Sequence, residues 1–354
     1  MSKGLGFRVM LLVAMGLVSG LSVAQDGPAP ATTTASAVPG VISHEWPDAL
    51  RAEAATLEAS VHEEGAPLTD MPKVLALGDT GPAVVALAQK LKDRGFLDFE
   101  EAFVYDHFDG PMAEAVNRAE AAYGLQQDGK AGSQVYLNLN RSPGATATAL
   151  REWADAVQAS LDQVRGSGAT RLVIVNIPSF QLHLLDVQTG RQLLESRVIV
   201  GMNTRRTPRY LTNIINLKYN PDWNPPPSLV ARGRVYVPPG IKNPLGLLRF
   251  STDNSDNIYL HDTDEHELFE RPNRARSSGC VRVQQWHALA ELLSDQTPEE
   301  IDAHLASGKT SYQKIARTPV MLNYSLIDQA EGRVGVYPDV YAQGDQAIGA
   351  DALK

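Results

Sequence analysis

The sequence predicts an α+β protein in which a small helical domain precedes a larger, mostly-β domain. Its 354 residues leave room for about two domains. Apolar residues follow helical spacing between residues 73 and 140. After Gly168, short β-rich runs alternate with turns that contain Gly, Pro or Asn. We therefore expect a sandwich or a partly open barrel with few helices in the second domain.

Composition narrows the classes of function. Hydrophobic residues make up 43% and charged residues 21% of the chain, which is ordinary for a globular protein and argues against global disorder or a polytopic membrane protein. The formal net charge is −9 and the pI is near 5.4, so no basic surface is available for a nucleic-acid partner.

The first 24 residues read as a secretory signal. Lys3 and Arg8 precede an apolar stretch, and Ser22-Val23-Ala24 forms a small-x-small cleavage site. The alternative is an uncleaved anchor helix, for which the apolar stretch is short. In both cases the body of the protein is exported to the periplasm or cell envelope. Residues 25–40 are rich in Pro, Ala and Thr and are interpreted as a flexible linker.

Two helical cycles are predicted in the first domain. A turn over residues 77–82 leads into a helix with Val84, Leu87 and Leu91 on its inner face. A second helix opens at Asp109-Gly110-Pro111 and carries Ala119-Glu120. An Ala-, Leu- and Glu-rich stretch from residue 48 to 62 is also predicted to be helical.

Strands dominate the second half of the sequence. A helix near residues 149–164 precedes them, and another is predicted over residues 284–293 from apolar residues at i, i+3, i+4 and i+7. The predicted strands are short apolar runs at residues 172–177, 181–186, 193–200, 214–219, 258–261, 320–326 and 334–337.

Cys280 is the chain's single cysteine, and it stands in the turn Ser277-Ser278-Gly279-Cys280. An unpaired thiol in an oxidising compartment is either a reactive group or a buried, inert one. His261 ends a predicted strand 19 positions earlier. A thiol beside an imidazole is what cysteine nucleophilic catalysis requires. Gly279 would allow close approach of the backbone to a substrate, with the N–H groups of Gly279 and Cys280 as oxyanion donors.

Residues 171–283 resemble the catalytic domain of the L,D-transpeptidases, the YkuD family, whose signature is a His followed by Ser/Thr-His/Ser-Gly-Cys, an apolar residue and Arg. His261 and the run from Ser277 to Arg282 fit this signature. The helical unit resembles a three-helix peptidoglycan-binding domain, except that Ala119-Glu120 replaces the usual aromatic-Gln pair. The domains expected are a signal peptide (1–24), a linker (25–40), a helical segment (41–70), a peptidoglycan-binding-like domain (71–142), a connecting helix (143–170) and the catalytic domain (171–345).

The resemblance implies a peptidoglycan tetrapeptide stem as substrate. Cys280 would attack the carbonyl of the third-position diamino acid, and His261 would shuttle the proton, oriented by the backbone of Asp262. The product is a crosslink between third residues, as in cell-wall biosynthesis. Carbapenem β-lactams are the expected covalent inhibitors, and no metal or organic cofactor is implied. Hydrolysis of the same thioester, or wall binding without catalysis, remain as alternative functions.

Further residues are assigned by the same reasoning. Tyr259 and Trp223 are expected to line the cleft or to pack in the core. Ser278 stands where many relatives have a second histidine. Arg282 is expected either to bind a substrate carboxylate or, as we favour, to tie the Cys280 turn to the sheet. Only residues 228–242 are available to cover the site, so we expect an open cleft.

The remaining charged residues are expected to be structural. The acidic stretch from 262 to 267 matches no metal-ligand spacing and is interpreted as an exposed loop. His183 and His287 are expected to be structural histidines.

Overall fold

A computed structural model describes residues 45–59, 65–100, 103–123, 125–330 and 332–343, with the side chain of residue 228 left aside. The predicted signal peptide and linker lie outside these residues. Within the described part of the chain, no helix is long and apolar enough to cross a membrane.

The first half of the chain is helical, as predicted. The helices are α1 (Trp46–Ala59), α2 (Pro82–Asp93), α3 (Gly110–Ala122), α4 (Ser133–Asn140) and α5 (Pro143–Arg165), and two short strands, β1 (Val74–Leu75) and β2 (Ala131–Gly132), pair between them. Asp109 caps α3 by accepting the Met112 N–H at 3.0 Å, so the predicted start of this helix is correct. Helices α2, α3 and α4 share one apolar core with Leu87, Val116 and Leu139 fully buried.

The second half is built on one large sheet. Its strands are β3 (Arg171–Asn176), β4 (Gln181–Asp186), β5 (Gln192–Gly201), β6 (Tyr210–Tyr219), β7 (Leu248–Thr252), β8 (Leu260–His261), β9 (Ala275–Ser277), β10 (Val281–Val283) and β11 (Ser311–Asn323). The strand order is β10-β8-β7-β6-β11-β3-β4-β5-β9, and β10 also pairs with β5. That pairing joins the two ends of the sheet, so the mostly-β domain is a closed barrel.

Helices cover the barrel on two sides. Helices α1 and α5 pack on a sheet face that includes Leu172, Ile174 and Met321. The core on the other side of the sheet contains Leu260 and Val281 and receives α7 (Trp286–Ser294) and α8 (Pro298–Ala306). The remaining elements are α6 (Pro227–Val230), a 3-10 helix (His266–Glu270) and the hairpin of β12 (Ile327–Ala330) and β13 (Arg333–Val336).

Several elements differ from the prediction, among them the short strands β9, β10 and β12, which the predicted runs do not include. The tail strand expected at 320–326 is the buried end of the 13-residue strand β11, whose first half alternates polar and partly buried residues and so lacks an apolar run. Strand β7 was not predicted. Helix α8 was also missed, although its start carries a sequence signal: Thr297 and Glu300 form a capping box around Pro298.

Candidate active site

The parallel pairing of β8 and β10 brings the cysteine turn beside the histidine. Val281 is in register with Leu260, and Arg282 with His261. Because successive side chains alternate between faces of a strand, Leu260 and Val281 enter the barrel core. Cys280 and His261 therefore share the opposite face, two positions apart along adjacent strands.

The turn that carries Cys280 depends on a glycine. Gly279 has a φ of +119°, and a Cβ there would lie 3.1 Å from Ile258 Cδ1. The Ser277 hydroxyl holds the turn closed, since it accepts the Gly279 N–H at 3.1 Å and donates to the Cys280 carbonyl at 2.6 Å. The Gly279 N–H is thus already bonded, which corrects its expected role as an oxyanion donor. Within the described residues, the N–H of Cys280 has no hydrogen-bond partner.

His261 is held as a neutral imidazole. Its side chain is buried, and Nδ1 donates to the backbone oxygen of Asp262, which leaves Nε2 as the unprotonated nitrogen. Burial, followed by the charges of Arg282 and Arg249, lowers the pKa of His261 to about 3, against the opposing hydrogen bond to Asp262. The ring is therefore a free base at neutral pH.

The side-chain carboxylate of Asp262 has different partners from its backbone carbonyl, which accepts from His261. Its Oδ2 accepts the Leu247 N–H at 2.8 Å, and His266 Nε2 lies 3.3 Å from Oδ1. Burial raises the pKa of this carboxyl, against backbone hydrogen bonds that lower it. The side chain thus ties the residue that orients His261 to the segment before β7.

The Cys280 thiol is partly exposed and lies 3.6 Å from the backbone oxygen of Asn257. Surrounding protein atoms desolvate it and raise its pKa, while Tyr259, Arg249 and Arg282 act in the opposite direction. No hydrogen bond joins Sγ to His261 in the described structure. The lowered pKa of His261 and the raised pKa of Cys280 both favour a resting pair of thiol and neutral imidazole.

Arg249 is a site residue that the sequence reasoning missed. It pairs with His261 across the antiparallel strands β7 and β8, so it lies on the same face as His261. Its guanidinium lies 5.0 Å from the centroid of the Tyr259 ring and donates to Ser251 Oγ at 3.1 Å and 3.2 Å. Arg249 can be assigned to the site only when strand β7 and its register with β8 are known.

The other residues predicted to line the site differ in burial and in contacts. Tyr259 packs edge-on against His261, with ring centroids 5.6 Å apart. Ser278 is exposed. Arg282 is mostly buried and pairs with Glu265, in the loop after β8, at 2.6 Å. Trp223 forms a bridge with Val237, which lies within residues 228–242 that are expected to cover the site.

The acidic stretch from 262 to 267 forms no metal-binding group within the described residues, and His183 and His287 each pair with carboxylates. Within the described residues, no group of three or more His, Cys, Asp or Glu side chains could hold a metal ion. His183 is fully buried and pairs with Asp328 at 3.1 Å. His287 lies between Glu291 and Asp302, at 2.7 Å and 3.2 Å.

Comparison with known families gives two matches. Residues 170–301, which include His261 and Cys280, match the YkuD family, described as "L,D-transpeptidase catalytic domain". The chain contains an L,D-transpeptidase catalytic domain. Residues 80–137 match the family described as "Putative peptidoglycan binding domain", so the helical unit is a domain of that family.

A curated relative supports this assignment. A Haemophilus influenzae protein named "Putative L,D-transpeptidase" is 34% identical over 220 residues, which cover 49% of this chain and 45% of the relative. The chain thus matches less than half of that relative's length.

Solved structures give weaker likenesses. An L,D-transpeptidase from Stackebrandtia nassauensis is 15% identical, and the match covers 73% of this chain and 97% of that one with a TM-score of 0.30. The L,D-transpeptidase LdtMt1 in complex with imipenem is 13% identical, with 43% and 58% covered and a TM-score of 0.27. At these TM-scores the likeness adds nothing to the domain matches.

Proposed function

We propose that the protein is an exported peptidoglycan L,D-transpeptidase that works through a thioester on Cys280. Its donor is a tetrapeptide stem, cleaved between the third-position diamino acid and the terminal D-alanine. The observation that carries the proposal is the placement of Cys280 and His261 on one face of adjacent parallel strands, inside a matched catalytic domain. Export is proposed from the signal-like residues 1–24.

The first half-reaction forms the thioester. Nε2 of the neutral His261 takes the proton of the Cys280 thiol as sulfur attacks the carbonyl carbon of the third residue. The resulting oxyanion accepts a hydrogen bond from the Cys280 N–H, which has no partner within the described residues. When the intermediate collapses, the C–N bond breaks and His261 returns the proton to the leaving amine of D-alanine.

The second half-reaction transfers the acyl group. An amine on the third residue of another stem attacks the thioester, loses its proton to His261, and displaces the Cys280 thiol. The product is an amide crosslink between two third residues. Water in place of the amine gives a tripeptide, which is the carboxypeptidase alternative.

Access to the thioester decides between these products. The cover over residues 228–242 contains only the one-turn helix α6 and a bridge to Trp223. Such a cover excludes less water than a separate subdomain would, which supports measurable hydrolysis beside transfer.

A covalent-labelling experiment tests the nucleophile. The purified protein is incubated with a carbapenem, whose strained lactam carbonyl acylates an active thiol, and adducts are located by mass spectrometry. We expect one adduct on Cys280, none in Cys280→Ser, and an unchanged adduct in the control His287→Ala, whose histidine lies among surface carboxylates. Absence of an adduct in the wild-type protein, with sacculus binding retained, would favour the non-catalytic wall-binding alternative.

Product analysis tests the reaction. Tetrapeptide stems are incubated with wild-type protein and Cys280→Ser, and crosslinked dimer is quantified against tripeptide over time. We expect both products from the wild-type protein and neither from the variant. Tripeptide without dimer would replace the transpeptidase with a carboxypeptidase.

A further inference from the structure

The Cys280 turn is anchored by a residue outside the proposed catalytic pair. Thr207 is buried, and its hydroxyl donates to the backbone oxygen of Gly279 at 2.8 Å. The same hydroxyl accepts the N–H of Gly201 at 2.8 Å. One side chain therefore connects the end of β5 to the turn that presents Cys280.

A tyrosine from the end of the chain holds Thr207 in turn. The buried Tyr341 hydroxyl accepts the Thr207 N–H at 3.1 Å and donates to the Gly201 oxygen at 2.5 Å. Tyr341 is itself fixed, because its N–H donates to the Tyr324 hydroxyl at 2.7 Å. Both tyrosines lie beyond residue 301, where the match to the catalytic domain ends.

Gly201 leaves no room for this contact to shift. A Cβ at Gly201 would lie 2.3 Å from the Arg205 oxygen and 2.6 Å from the Thr207 nitrogen. The segment from 201 to 207 therefore folds back tightly on itself, and the Thr207 hydroxyl is fixed relative to β5.

The consequence for catalysis follows from peptide geometry. The Gly279 carbonyl and the Cys280 N–H belong to one planar trans peptide unit, so they point in opposite directions. Fixing the carbonyl on Thr207 also fixes the direction of the N–H. Within the described residues that N–H has no hydrogen-bond partner, whereas the Gly279 N–H is bonded to Ser277.

We propose that Thr207, held by Tyr341, is a positioning residue that aims the Cys280 N–H at the oxyanion of the reacting carbonyl. This inference rests on the proposed function, since it presumes that Cys280 is acylated. Thr207 acts through the peptide unit and does not touch the substrate. The contact it supplies matters most in the transition state, so its loss lowers kcat more than it raises KM.

The test uses paired variants of the full chain. Thr207→Val keeps the shape but removes the hydroxyl, and Thr207→Ser restores the hydroxyl. We expect Thr207→Val to lower the carbapenem acylation rate and kcat by about 10- to 100-fold with little change in KM. Thr207→Ser should recover most of that loss. Tyr341→Phe, which lacks only the second hydroxyl, should give a smaller loss in the same direction.

A structural readout separates this inference from the proposed function. Hydrogen exchange of the 275–283 backbone needs no substrate, and we expect faster exchange in Thr207→Val than in Thr207→Ser. If Thr207→Val does not fold, Tyr341→Phe provides the same comparison. A wild-type protein that is never acylated would overturn the proposed function. A wild-type acylation rate in a folded Thr207→Val would overturn the positioning role alone, as would equal losses in Thr207→Val and Thr207→Ser.

Discussion

Two buried histidines on the same barrel have opposite electrostatic surroundings. His261 bonds to a neutral carbonyl, that of Asp262, and burial with two nearby arginines lowers its pKa to about 3. His183 is equally buried, but the charge and hydrogen bond of Asp328 outweigh the cost of burial and raise its pKa. The two cases differ in the charge of their neighbours, which is negative beside His183 and positive beside His261.

The difference explains why one ring can act as a base and the other cannot. The carboxylate of Asp328 also accepts from Ser179 at 2.6 Å, from Asn176 at 3.2 Å and from Trp153 at 3.2 Å, and its pKa is lowered. The His183–Asp328 pair thus joins the β12–β13 hairpin to strand β4, and Trp153 connects the same carboxylate to α5. His261, which faces cations and a carbonyl, holds a proton only while a reaction supplies one.

The largest expected effect comes from removing each histidine separately. His261→Ala should lower carbapenem acylation by about 10²- to 10⁴-fold, because it removes the proton acceptor. Its melting temperature should fall by less than that of His183→Ala, since no buried charge loses a partner. Acylation rate by mass spectrometry and thermal unfolding measure the two effects.

The matched control is His183→Ala. It should lose about 3–5 kcal/mol of stability, because Asp328 is left as a buried charge without its cation, while the folded fraction keeps its acylation rate. If His183→Ala slowed acylation as much as His261→Ala, the distinction between a base and a structural ion pair would be wrong.

A pH series sharpens the comparison. The raised pKa of Cys280 predicts that alkylation by iodoacetamide, which reports thiolate, keeps increasing above pH 9. Acylation by a carbapenem depends on the free His261 base, which persists down to about pH 3, so its rate should change little between about pH 5 and 8.

A preformed thiolate would give a different pH profile of alkylation. A plateau of iodoacetamide alkylation between pH 4 and 7 would indicate a preformed thiolate and imidazolium pair. In that case the arginines would stabilise the thiolate more than burial destabilises it, and the assignment of a neutral resting pair would fail.

Local sequence was enough to select Cys280 and His261 as the candidate pair. The Ser277 to Arg282 run and His261 are each recognisable within a few residues, and the class α+β follows from the change in periodicity near Gly168. Helix α3 was also predictable, because Asp109 and Pro111 are local signals for a helix start.

The residues that hold Cys280 and His261 in place could not be predicted, because their contacts join segments that are far apart in the sequence. Thr207 reaches Gly279 across 72 positions, and Tyr341 reaches Gly201 across 140. Arg249 becomes a site residue only through its register with His261. Hydrophobic patterning predicts which face of a strand is buried, but it does not specify which strand lies next to it.

Another buried ionisable group lies in the helical unit, where burial and a second carboxyl, that of Asp128, both raise its pKa. Glu120, at the departure from the usual family pattern, accepts the N–H groups of Gly129 at 3.0 Å and Asp128 at 3.1 Å. Burial outweighs these bonds and raises its pKa to about 7. The side chain thus closes the turn after α3, and it is protonated more readily in the folded protein than in the unfolded chain.

The smallest expected effect is a pH dependence that follows from this shift. Because the folded pKa is higher than the unfolded value of 4.5, the stability contributed by protonated Glu120 is complete below pH 4.5 and is lost as the pH rises through about 7. Glu120→Gln keeps a carbonyl oxygen for the two N–H groups and cannot ionise. Between pH 5 and 8, the wild-type melting temperature should therefore fall relative to that of Glu120→Gln, with faster hydrogen exchange at residues 126–132. Glu114→Gln, an exposed substitution on the same helix, should follow the wild-type curve. Parallel curves for wild type and Glu120→Gln would mean that the carboxyl is solvated enough to titrate normally, and that burial near the turn does not distinguish it from a surface glutamate.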